Sequence, residues 1–498
     1  MATVPVVRCD LRLEPDPHRR IVKAFLPEGR NPDDGRTRVE HILDRVLDMA
    51  PQDRARTMAD VRTRFELRHH DLDSVLRVGF RAVSHLVDDP SSLSDEVRDL
   101  VGAYFVHEYS VEAAALTNPS LVPAPDQSDL PPGWLRVVVS LRAIGEGHVS
   151  SIEFRTALVG PEGQVALEPV DAPVPATRRA PIFDKPLFAA KLHEVGADGG
   201  EGVVARVLDR LEDRFTMGDL ESALAQLGAG DLAPAATQHT VQMIHWLAAS
   251  NYELVFPPTS LLSQRVIFPA GPSESHGMED ARFVRFEERD GSVVHYATYT
   301  AYDGFAVLPQ LIETQDFVTF RIATLNGPAA RNKGMAIFPR KVGGRFAALG
   351  RSDNENNYVM FSDNVRFWHE TELVQVPTRP WELVQIGNCG PPIETPEGWL
   401  VITHGVGPFR TYALGAILLD LDDPRRVIGH LPEPLLVPEE DERDGYVPNV
   451  VYSAGSLVHG GRLVVAYGVS DVATRFAAVS LDDLLSGLTS SRSRAATL

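Results

Sequence analysis

The sequence predicts a mainly β protein made of many short strands, with α-helical segments at the N-terminus and in the middle of the chain. From Tyr252 to Leu485, short apolar runs alternate with turn residues, and no helical spacing is convincing until the end. A parallel sheet would need helices between its strands, so this pattern indicates a sandwich, a barrel or a propeller. The hairpins are similar and recur at a coarse spacing. This favours a propeller, whose central depression would collect loop residues from every blade.

The composition limits the partners that the protein can have. The 498 residues include 48 Lys and Arg against 68 Asp and Glu, a formal charge of -20. This balance argues against a surface for nucleic acid or an anionic membrane, but it allows a local basic pocket for a small anion. Cys9 and Cys389 lack metal-ligand spacing, so a reducing cytoplasm fits best. No secretion signal and no run of roughly 20 apolar residues is found, which predicts a soluble protein.

Two stretches carry helical spacing. Between about residues 36 and 105, three apolar stripes flanked by Asp, Arg and Ser are typical of amphipathic helices that pack into a bundle. The stripes are Val39, Ile42, Leu43, Val46 and Leu47, then Val75, Leu76, Val78 and Val83, then Val97, Leu100 and Val101. Similar spacing returns from about residue 185 to 247, which we interpret as a helical insertion or clamp.

Strands are predicted on both sides of that insertion. Leu135 to Leu141 and Ile152 to Leu158 form a hairpin around the turn at residues 145–148. The turn is rich in glycine like a phosphate loop, but a dinucleotide-binding loop must open a helix and this one opens a strand, so no nucleotide site is expected. The later strands are Val293 to Thr300, Phe317 to Leu325, Trp399 to His404, Tyr412 to Leu419, Val447 to Leu457 and Leu463 to Tyr467.

The stretch Gly277-Met278-Glu279-Asp280-Ala281-Arg282 is the candidate centre of the site. It places two adjacent carboxylates and an arginine behind a glycine, in a predicted turn between apolar runs, which suits an acid held in a cleft. Turn chemistry alone also explains such an aspartate, because its side chain bonds nearby backbone amides. We select Asp280 as the candidate acid. His276 lies nearby, but the helical spacing of a zinc motif is absent, so no metal site is predicted.

Short motifs follow one another in series through the second half of the chain. They comprise Gly277 to Arg282, Phe338 to Lys341 with Arg351, Gly387 to Thr395 with Gly398-Trp399-Leu400, His404-Gly405-Val406, Tyr412 to Asp420, Asn449-Val450-Val451, and Tyr467-Gly468 with Asp471. In this order they resemble glycoside hydrolase family 130, the inverting β-mannoside phosphorylases and related β-mannosidases. The resemblance covers Tyr252 to Leu485 and extends to residues 118–156, but it does not cover the helical segments.

This resemblance implies a five-bladed β-propeller with the sugar bound in a central cup. It implies that Asp280 is the general acid and acts through a hydroxyl of the bound mannose, while phosphate attacks the anomeric carbon from the opposite side. The implied phosphate site comprises Arg351, His404, Lys341 and the position of Gln385. Phosphate needs cationic donors and no base, and arginine suits it because its planar fork bonds two oxygens at once.

The remaining expected contacts to the sugar come from polar residues of the two predicted β regions. They are Asn118, Arg142, Glu279, Arg282, Tyr302, Asp303, Asn388 and Asp471. The expected organisation is an N-terminal helical region at 1–115, a first blade at 116–180, a helical insertion at 181–250, the remaining blades at 251–485 and a C-terminal tail at 486–498. The helical segments are expected either to cover one edge of the cup or to build a homo-oligomer interface.

Three residues depart from the family pattern. Ala281 replaces the proline after the acid, and Arg340 replaces a glutamate, which makes its loop more cationic. Gln385 stands where the phosphorylases carry a phosphate-binding lysine. The loss of one cation weakens an anion site, and Arg410 is a candidate to compensate for it.

Three functions are consistent with these residues. The first is a glycosyltransferase-type phosphorylase that converts a β-mannoside and inorganic phosphate to α-mannose 1-phosphate, with no metal or organic cofactor. The second is an inverting β-mannosidase, which needs a second carboxylate roughly 6.5 to 9.5 Å from the acid to activate water. Its candidate bases are Glu146, Glu153, Asp303 and Glu394. The third is a non-catalytic sugar-binding propeller, which would not need Asp280, Arg351 and His404 together.

Overall fold

The computed structural model describes residues 4–69, 71–197, 202–227 and 234–490. The chain divides into two compact units, residues 18–110 and the remainder of the chain. Within the described part, no helix is both long and apolar enough to cross a membrane.

The smaller unit is a helical cluster with a two-stranded sheet. Its helices are Arg38–Leu47, Pro51–Phe65, Leu72–Val83 and Asp95–Tyr104, and its strands are Arg20–Ala24 and Val106–Ser110. The predicted stripes supply its core, where Leu76 and Val101 are fully buried. Two of the helices touch at Gly79 and Gly102. A Cβ on Gly79 would lie 2.2 Å from the Gly102 carbonyl oxygen, so glycine is required for this close packing.

A strand in the first residues differs from the expected helical region. Val6–Leu13 pairs antiparallel with Ala473–Ser480, near the other end of the chain. Local helical or strand spacing gives no information about a partner so distant in sequence, because strand pairing is decided by tertiary contacts. The N-terminal segment therefore belongs to the larger unit.

The central helical segment has a core of its own. Its helices are Lys185–Glu194, Val203–Leu208, Met217–Ala225 and Pro234–Ala249. Phe188, Val207 and Leu220 are buried together. The buried Lys191 donates 2.7 Å to the Leu325 carbonyl oxygen, which ties this segment to the β structure.

The strands of the larger unit form four main sheets. In strand order, the first sheet has Val6–Leu13, Ala473–Ser480, Arg462–Val469 and Val451–Tyr452, and Ser456–His459 also pairs with Arg462–Val469. The second sheet has Ala115–Pro123, Leu135–Ile144, Ser150–Val159, Gly277–Glu287, Val293–Tyr302, Val307–Thr314, Thr319–Thr324, Tyr252–Val255 and Thr177–Arg179, and both Val165–Leu167 and Val266–Ile267 also pair with Ser150–Val159. The third sheet has Ala336–Ile337, Phe346–Gly350, Asn357–Ser362 and Glu370–Gln375, and the fourth has Gln385–Asn388, Gly398–Val406, Tyr412–Leu419 and Val427–His430, where Ile393–Thr395 also pairs with Gly398–Val406. A separate pair joins Phe183–Asp184 to Arg214–Phe215.

These sheets confirm a mainly β protein with antiparallel strands. The second sheet is continuous only through one parallel pairing, between Gly277 and Ser150. The predicted strand from Val447 to Leu457 is instead two short strands, because Ser453 and the following Ala-Gly turn interrupt it. The C-terminal tail begins as a helix, Leu481–Ser490, with Leu484 and Leu488 buried in the adjacent core; residues 491–498 lie outside the described part.

A buried glutamate is repeated just before three strands that lead into the candidate site. Glu112, Glu274 and Glu382 each lie three residues before the first residue of a strand. Glu274, for example, accepts hydrogen bonds from the backbone N–H groups of Ala270 and Gly271 and from two tyrosine hydroxyls. Because a buried carboxylate needs such partners, Glu274 holds the segment that precedes its strand.

Candidate active site

The candidate acid lies in a bulged strand. We predicted a turn for Gly277 to Arg282, but the segment opens the strand Gly277–Glu287, and the pairing register shifts between Glu279 and Arg282. Asp280 has a φ of 56°, in the left-handed region that non-glycine residues seldom adopt. A bulge redirects side chains and is common beside active sites. It sets the direction of the partly buried Asp280 side chain.

A second bulge supplies the partner of this carboxylate. Asn118 also has a positive φ, 49°, and lies where the strand Ala115–Pro123 shifts register. Its side-chain amide donates to Asp280 Oδ1 at 2.5 Å. Two backbone positions with positive φ, from strands that are not adjacent in the sheet, therefore meet, and such positions are common at functional sites.

Arginines hold the carboxyl group of Asp280 in its ionised form. Burial would raise its pKa, but the charges of Arg142 and Arg282, with the Asn118 hydrogen bond, hold the pKa below its usual value. Asp280 is therefore a carboxylate in the ligand-free site and must gain a proton before it can act as an acid.

The neighbouring Glu279 has its own cationic partners. Arg142 donates to it at 2.9 Å and Lys333 at 2.5 Å. Lys333 was not selected as a site residue, because no motif in the sequence assigns it a role. Glu279 therefore holds two cations beside the acid.

Arg282 connects the acid to a tyrosine that was not predicted as a site residue. The Arg282 side chain is 2% exposed and donates to the Tyr452 hydroxyl at 2.5 Å. Tyr452 follows Asn449-Val450-Val451 in a short strand, so its apolar surroundings made it look like a core residue. The structure instead places its hydroxyl in the site.

The predicted phosphate residues Arg351 and His404 lie together. Arg351 Nη1 donates to His404 Nε2 at 3.2 Å, and because arginine only donates, the ring must be neutral with its proton on Nδ1. That nitrogen lies 3.6 Å from Cys389 Sγ. Burial, then the nearby charges of Arg351 and Arg282, lower the pKa of His404 well below its usual value. Gly387 allows this position, since a Cβ there would lie 2.4 Å from the ring.

Arg351 carries a charge without an acidic partner. Among the described residues, the guanidinium of Arg351 forms no ion pair with a carboxylate, and its Nε is buried without a hydrogen-bond acceptor. A partly buried cation beside a neutral imidazole favours an anionic ligand.

Gln385 and Arg410 both approach Tyr412 at the edge of this pair. Gln385 Nε2 lies 3.5 Å from the Tyr412 hydroxyl, and the Arg410 guanidinium lies 5.9 Å from the centre of the Tyr412 ring. The Tyr412 ring stacks on His404. Arg410 is therefore near the position where the family pattern has a lysine.

Asp471 is electrostatically close to the acid. It has a φ of 53° in the turn after Arg462–Val469. Burial, and then the negative charges of Asp280 and Glu279, raise the pKa of its carboxyl group, while Arg142 opposes them. These interactions indicate that Asp471 lies close to Asp280, Glu279 and Arg142.

Three other residues that we predicted to contact the sugar form hydrogen bonds to other groups of the protein. Asn388 is buried and donates 2.7 Å to the Gly334 carbonyl oxygen. Asp303 accepts two backbone N–H groups of its own turn, and the Tyr302 hydroxyl donates to a carbonyl two residues on. Tyr302 pairs with Gly277, which places this turn beside the start of the acid's strand.

Lys341 lies away from the Arg351 and His404 pair. Its Nζ lies 3.1 Å from Glu288, which follows the end of Gly277–Glu287. Eight residues separate Glu288 from Asp280, and in an extended strand this corresponds to roughly 25 Å. Lys341 instead lines a cavity of about 1030 Å³ at the far end of the strand, with Arg340 and Glu394.

Comparison with known proteins identifies relatives of this chain. Residues 259–489 match the model of glycoside hydrolase family 130, described as β-1,4-mannooligosaccharide phosphorylase. The chain is 33% identical over 220 residues to a 1,2-β-oligomannan phosphorylase from Thermoanaerobacter sp. (strain X514), and the alignment covers 42% of this chain and 71% of the relative. It is 29% identical over 226 residues to a β-1,2-mannobiose phosphorylase from Listeria innocua, covering 44% of this chain and 62% of the relative.

A solved structure is also similar. The complex of β-1,2-mannobiose phosphorylase from Listeria innocua with β-1,2-mannobiose superposes with a TM-score of 0.45 at 22% identity, covering 76% of this chain and 93% of that one.

The matched residues 259–489 contain Asp280, Arg351 and His404. The matched family is a glycoside hydrolase family. The glycosyltransferase class that we expected from the sequence is therefore wrong. Identity of 33% over 71% of a relative, together with the family-model match, shows common membership. The chain belongs to glycoside hydrolase family 130.

Proposed function

We propose that the protein is an inverting phosphorylase that cleaves a β-mannoside with inorganic phosphate and releases α-mannose 1-phosphate. The observation that carries this proposal is the guanidinium of Arg351, which lies against the neutral ring of His404 and has no acidic partner among the described residues. The relatives named as phosphorylases of β-1,2- and β-1,4-linked mannosides support the substrate class.

In this reaction, Asp280 protonates the leaving oxygen through a hydroxyl of the bound mannose. Phosphate, oriented by Arg351, attacks the anomeric carbon from the opposite face, so the bond to the acceptor sugar breaks as the bond to phosphate forms. The acceptor leaves with the proton, and the anomeric configuration inverts. Phosphate is itself the nucleophile, so no metal, organic cofactor or second carboxylate is required.

The ionised state of Asp280 suggests how the two substrates depend on each other. The charges of Arg142 and Arg282 lower the pKa of the free enzyme's carboxyl group. A bound phosphate adds negative charge to the same region and offsets part of that field, which raises the pKa of Asp280. The acid is therefore best prepared to carry a proton when phosphate is present.

We propose that the β strands form a five-bladed propeller. Five separate segments contribute to the site, through Asn118, Asp280, Lys333, Cys389 and Tyr452. Five segments also line the far cavity, at residues 121–123, 283–289, 339–344, 391–394 and 456–458. Two sets of five segments, one at the site and one at the far cavity, are what five blades around one axis would produce.

Hydrolysis is the less favoured alternative, because the candidate bases have other roles. Glu153 and Glu394 are paired with Arg155 and Arg340, and Asp303 accepts the N–H groups of its own turn. Glu146 is exposed.

The test is to incubate the protein with β-1,2-mannobiose and β-1,4-mannobiose, with and without phosphate, and to measure mannose 1-phosphate and free mannose. The proposal predicts mannose 1-phosphate only when phosphate is present. Release of free mannose at the same rate without phosphate would favour hydrolysis, and no turnover of any mannoside would favour a binding protein.

A further inference from the structure

Tyr452 lies between the two halves of the candidate site. It is the last residue of the strand Val451–Tyr452, and its side chain is partly exposed. Its hydroxyl oxygen accepts a hydrogen bond from Arg282 on the acid side, and its ring packs edge-on against His404 with a centroid distance of 5.0 Å. One side chain therefore contacts both the acid strand and the predicted phosphate residues.

The hydroxyl proton of Tyr452 is available to a ligand. A guanidinium only donates, so the bond from Arg282 uses a lone pair of the hydroxyl and leaves its O–H group free to donate. In the described part of the chain, this hydroxyl makes no other hydrogen bond. Burial raises the pKa of Tyr452, so the group stays protonated at neutral and moderately alkaline pH.

Two further donors near Tyr452 lack acceptors. The Nε atoms of Arg282 and Arg351 are both buried without a hydrogen-bond partner among the described residues. Both arginines act electrostatically on Tyr452 and on His404, so these groups form one cluster. The charge of Arg282 is partly offset by Asp280, whereas Arg351 has no carboxylate partner in the part of the chain that the structure describes. The cluster has donors and positive charge in excess, which suits a ligand made only of acceptor oxygens.

We propose that the Tyr452 hydroxyl donates a hydrogen bond to the phosphate that Arg351 holds, so that Tyr452 is a phosphate-binding residue. This inference rests on the proposed phosphorolysis, because it concerns the same site. Through its bond from Arg282, Tyr452 also links the position of phosphate to the strand that carries Asp280.

The test compares Tyr452→Phe with the wild type by two measurements. Calorimetry gives the dissociation constant for inorganic phosphate in the absence of sugar, and steady-state kinetics gives the KM for phosphate and for mannobiose. Removing one hydrogen bond to a charged group should weaken phosphate binding about tenfold. The KM for phosphate should rise by a similar factor, and the KM for mannobiose should change little.

Tyr299→Phe is the matched control. Its hydroxyl donates 2.7 Å to Glu274 and is buried within the protein, so its loss should lower the melting temperature without changing phosphate affinity. If Tyr452→Phe is too unstable to assay, Tyr452→His restores a donor on an aromatic ring and should recover part of the phosphate affinity.

The outcomes separate this inference from the proposed function. An unchanged phosphate affinity in folded Tyr452→Phe overturns the inference while leaving phosphorolysis intact. Phosphate binding that depends on Tyr452, without phosphate-dependent turnover of any mannoside, supports the inference and overturns the proposed function. If the wild type shows neither phosphate binding nor phosphate-dependent turnover, both are overturned.

Discussion

The two ends of the strand Gly277–Glu287 carry similar numbers of charged side chains but use them differently. At the far end, Arg285 pairs with Glu287, Lys341 with Glu288, and Arg340 with Glu394. At the acid end, Glu279 is paired with Arg142 and Lys333, but in the described part of the chain Arg351 has no carboxylate partner and donates to a neutral histidine, and Asp280 accepts from an uncharged amide. Charges that pair with each other stabilise the fold, whereas charges without protein partners are available to a ligand. The partly buried charge of Arg351, which has no carboxylate partner among the described residues, distinguishes the candidate site from the far cavity more than the number of cations does.

The largest effect is expected at the acid. Asp280→Asn preserves the left-handed backbone, because asparagine tolerates a positive φ, but it removes the proton carrier. We expect kcat to fall about 10³-fold, the scale of general acid catalysis, with phosphate still bound. Glu394→Gln at the far end is the control and should keep near wild-type kcat. Full activity of a folded Asp280→Asn variant would show that the acid is elsewhere.

The second effect compares one arginine from each end. Arg351→Met should raise the KM for phosphate about a hundredfold, because it removes charge-assisted hydrogen bonds to the anion. Arg340→Met breaks the bond to Glu394 and the contact with Trp399, so it should lower stability slightly and leave the KM for phosphate unchanged. Steady-state kinetics with varied phosphate measures both. If both substitutions raised the KM for phosphate equally, the proposal that only the acid end of the strand binds phosphate would be wrong.

A third prediction concerns His295, a buried histidine that lies outside the candidate site. Burial lowers the pKa of His295 to about 4, and the ring packs on Phe317. Between about pH 6.5 and 4 the unfolded chain binds a proton that the folded protein does not, so stability is complete above this window and falls as the pH decreases through it. The expected loss at about pH 5 is about 2 kcal/mol relative to pH 8.

His295→Leu should remove this part of the pH dependence in urea unfolding experiments. An identical pH dependence in wild type and variant would contradict the assignment. His404 is also buried and neutral, so burial alone does not mark a functional histidine. The contact with Arg351 distinguishes it.

The smallest effect is expected at the rim. Arg410 is exposed and lies beside Tyr412, where it is the candidate to replace the missing lysine. Because an exposed charge contributes little, Arg410→Ala should raise the KM for phosphate only about threefold. Gln385→Lys should lower that KM by a similar factor. A change in the KM for the sugar alone would assign Arg410 to the acceptor subsite instead.

The sequence predicted the parts of the fold that depend on local pattern. The strand Tyr412–Leu419 has the predicted bounds, and the apolar stripes of the N-terminal unit are helical. The pairing of Val6–Leu13 with the last strand was not predictable, because nothing in either segment specifies a partner that far along the chain. The bulge at Asp280 was also missed, since it depends on register with a neighbouring strand.

The sequence predicted those site residues that lie within the family motifs. Motif order brought Asp280, Arg351 and His404 into consideration, and the structure places the last two in contact. Lys341 was selected because the segment from Phe338 to Lys341 matches a family motif, but the sequence did not show that Glu288 lies beside it. Tyr452 was missed because an aromatic residue after two valines is also typical of a core strand. Both cases depend on tertiary neighbours.

The most direct test is the location of the bound anion in a crystal. Arsenate substitutes for phosphate and scatters anomalously, so a soaked crystal would show its position without ambiguity. We expect one site within hydrogen-bond distance of Arg351, on the same side as Tyr452. An arsenate bound in the far cavity beside Lys341, with none near Arg351, would contradict the proposed site.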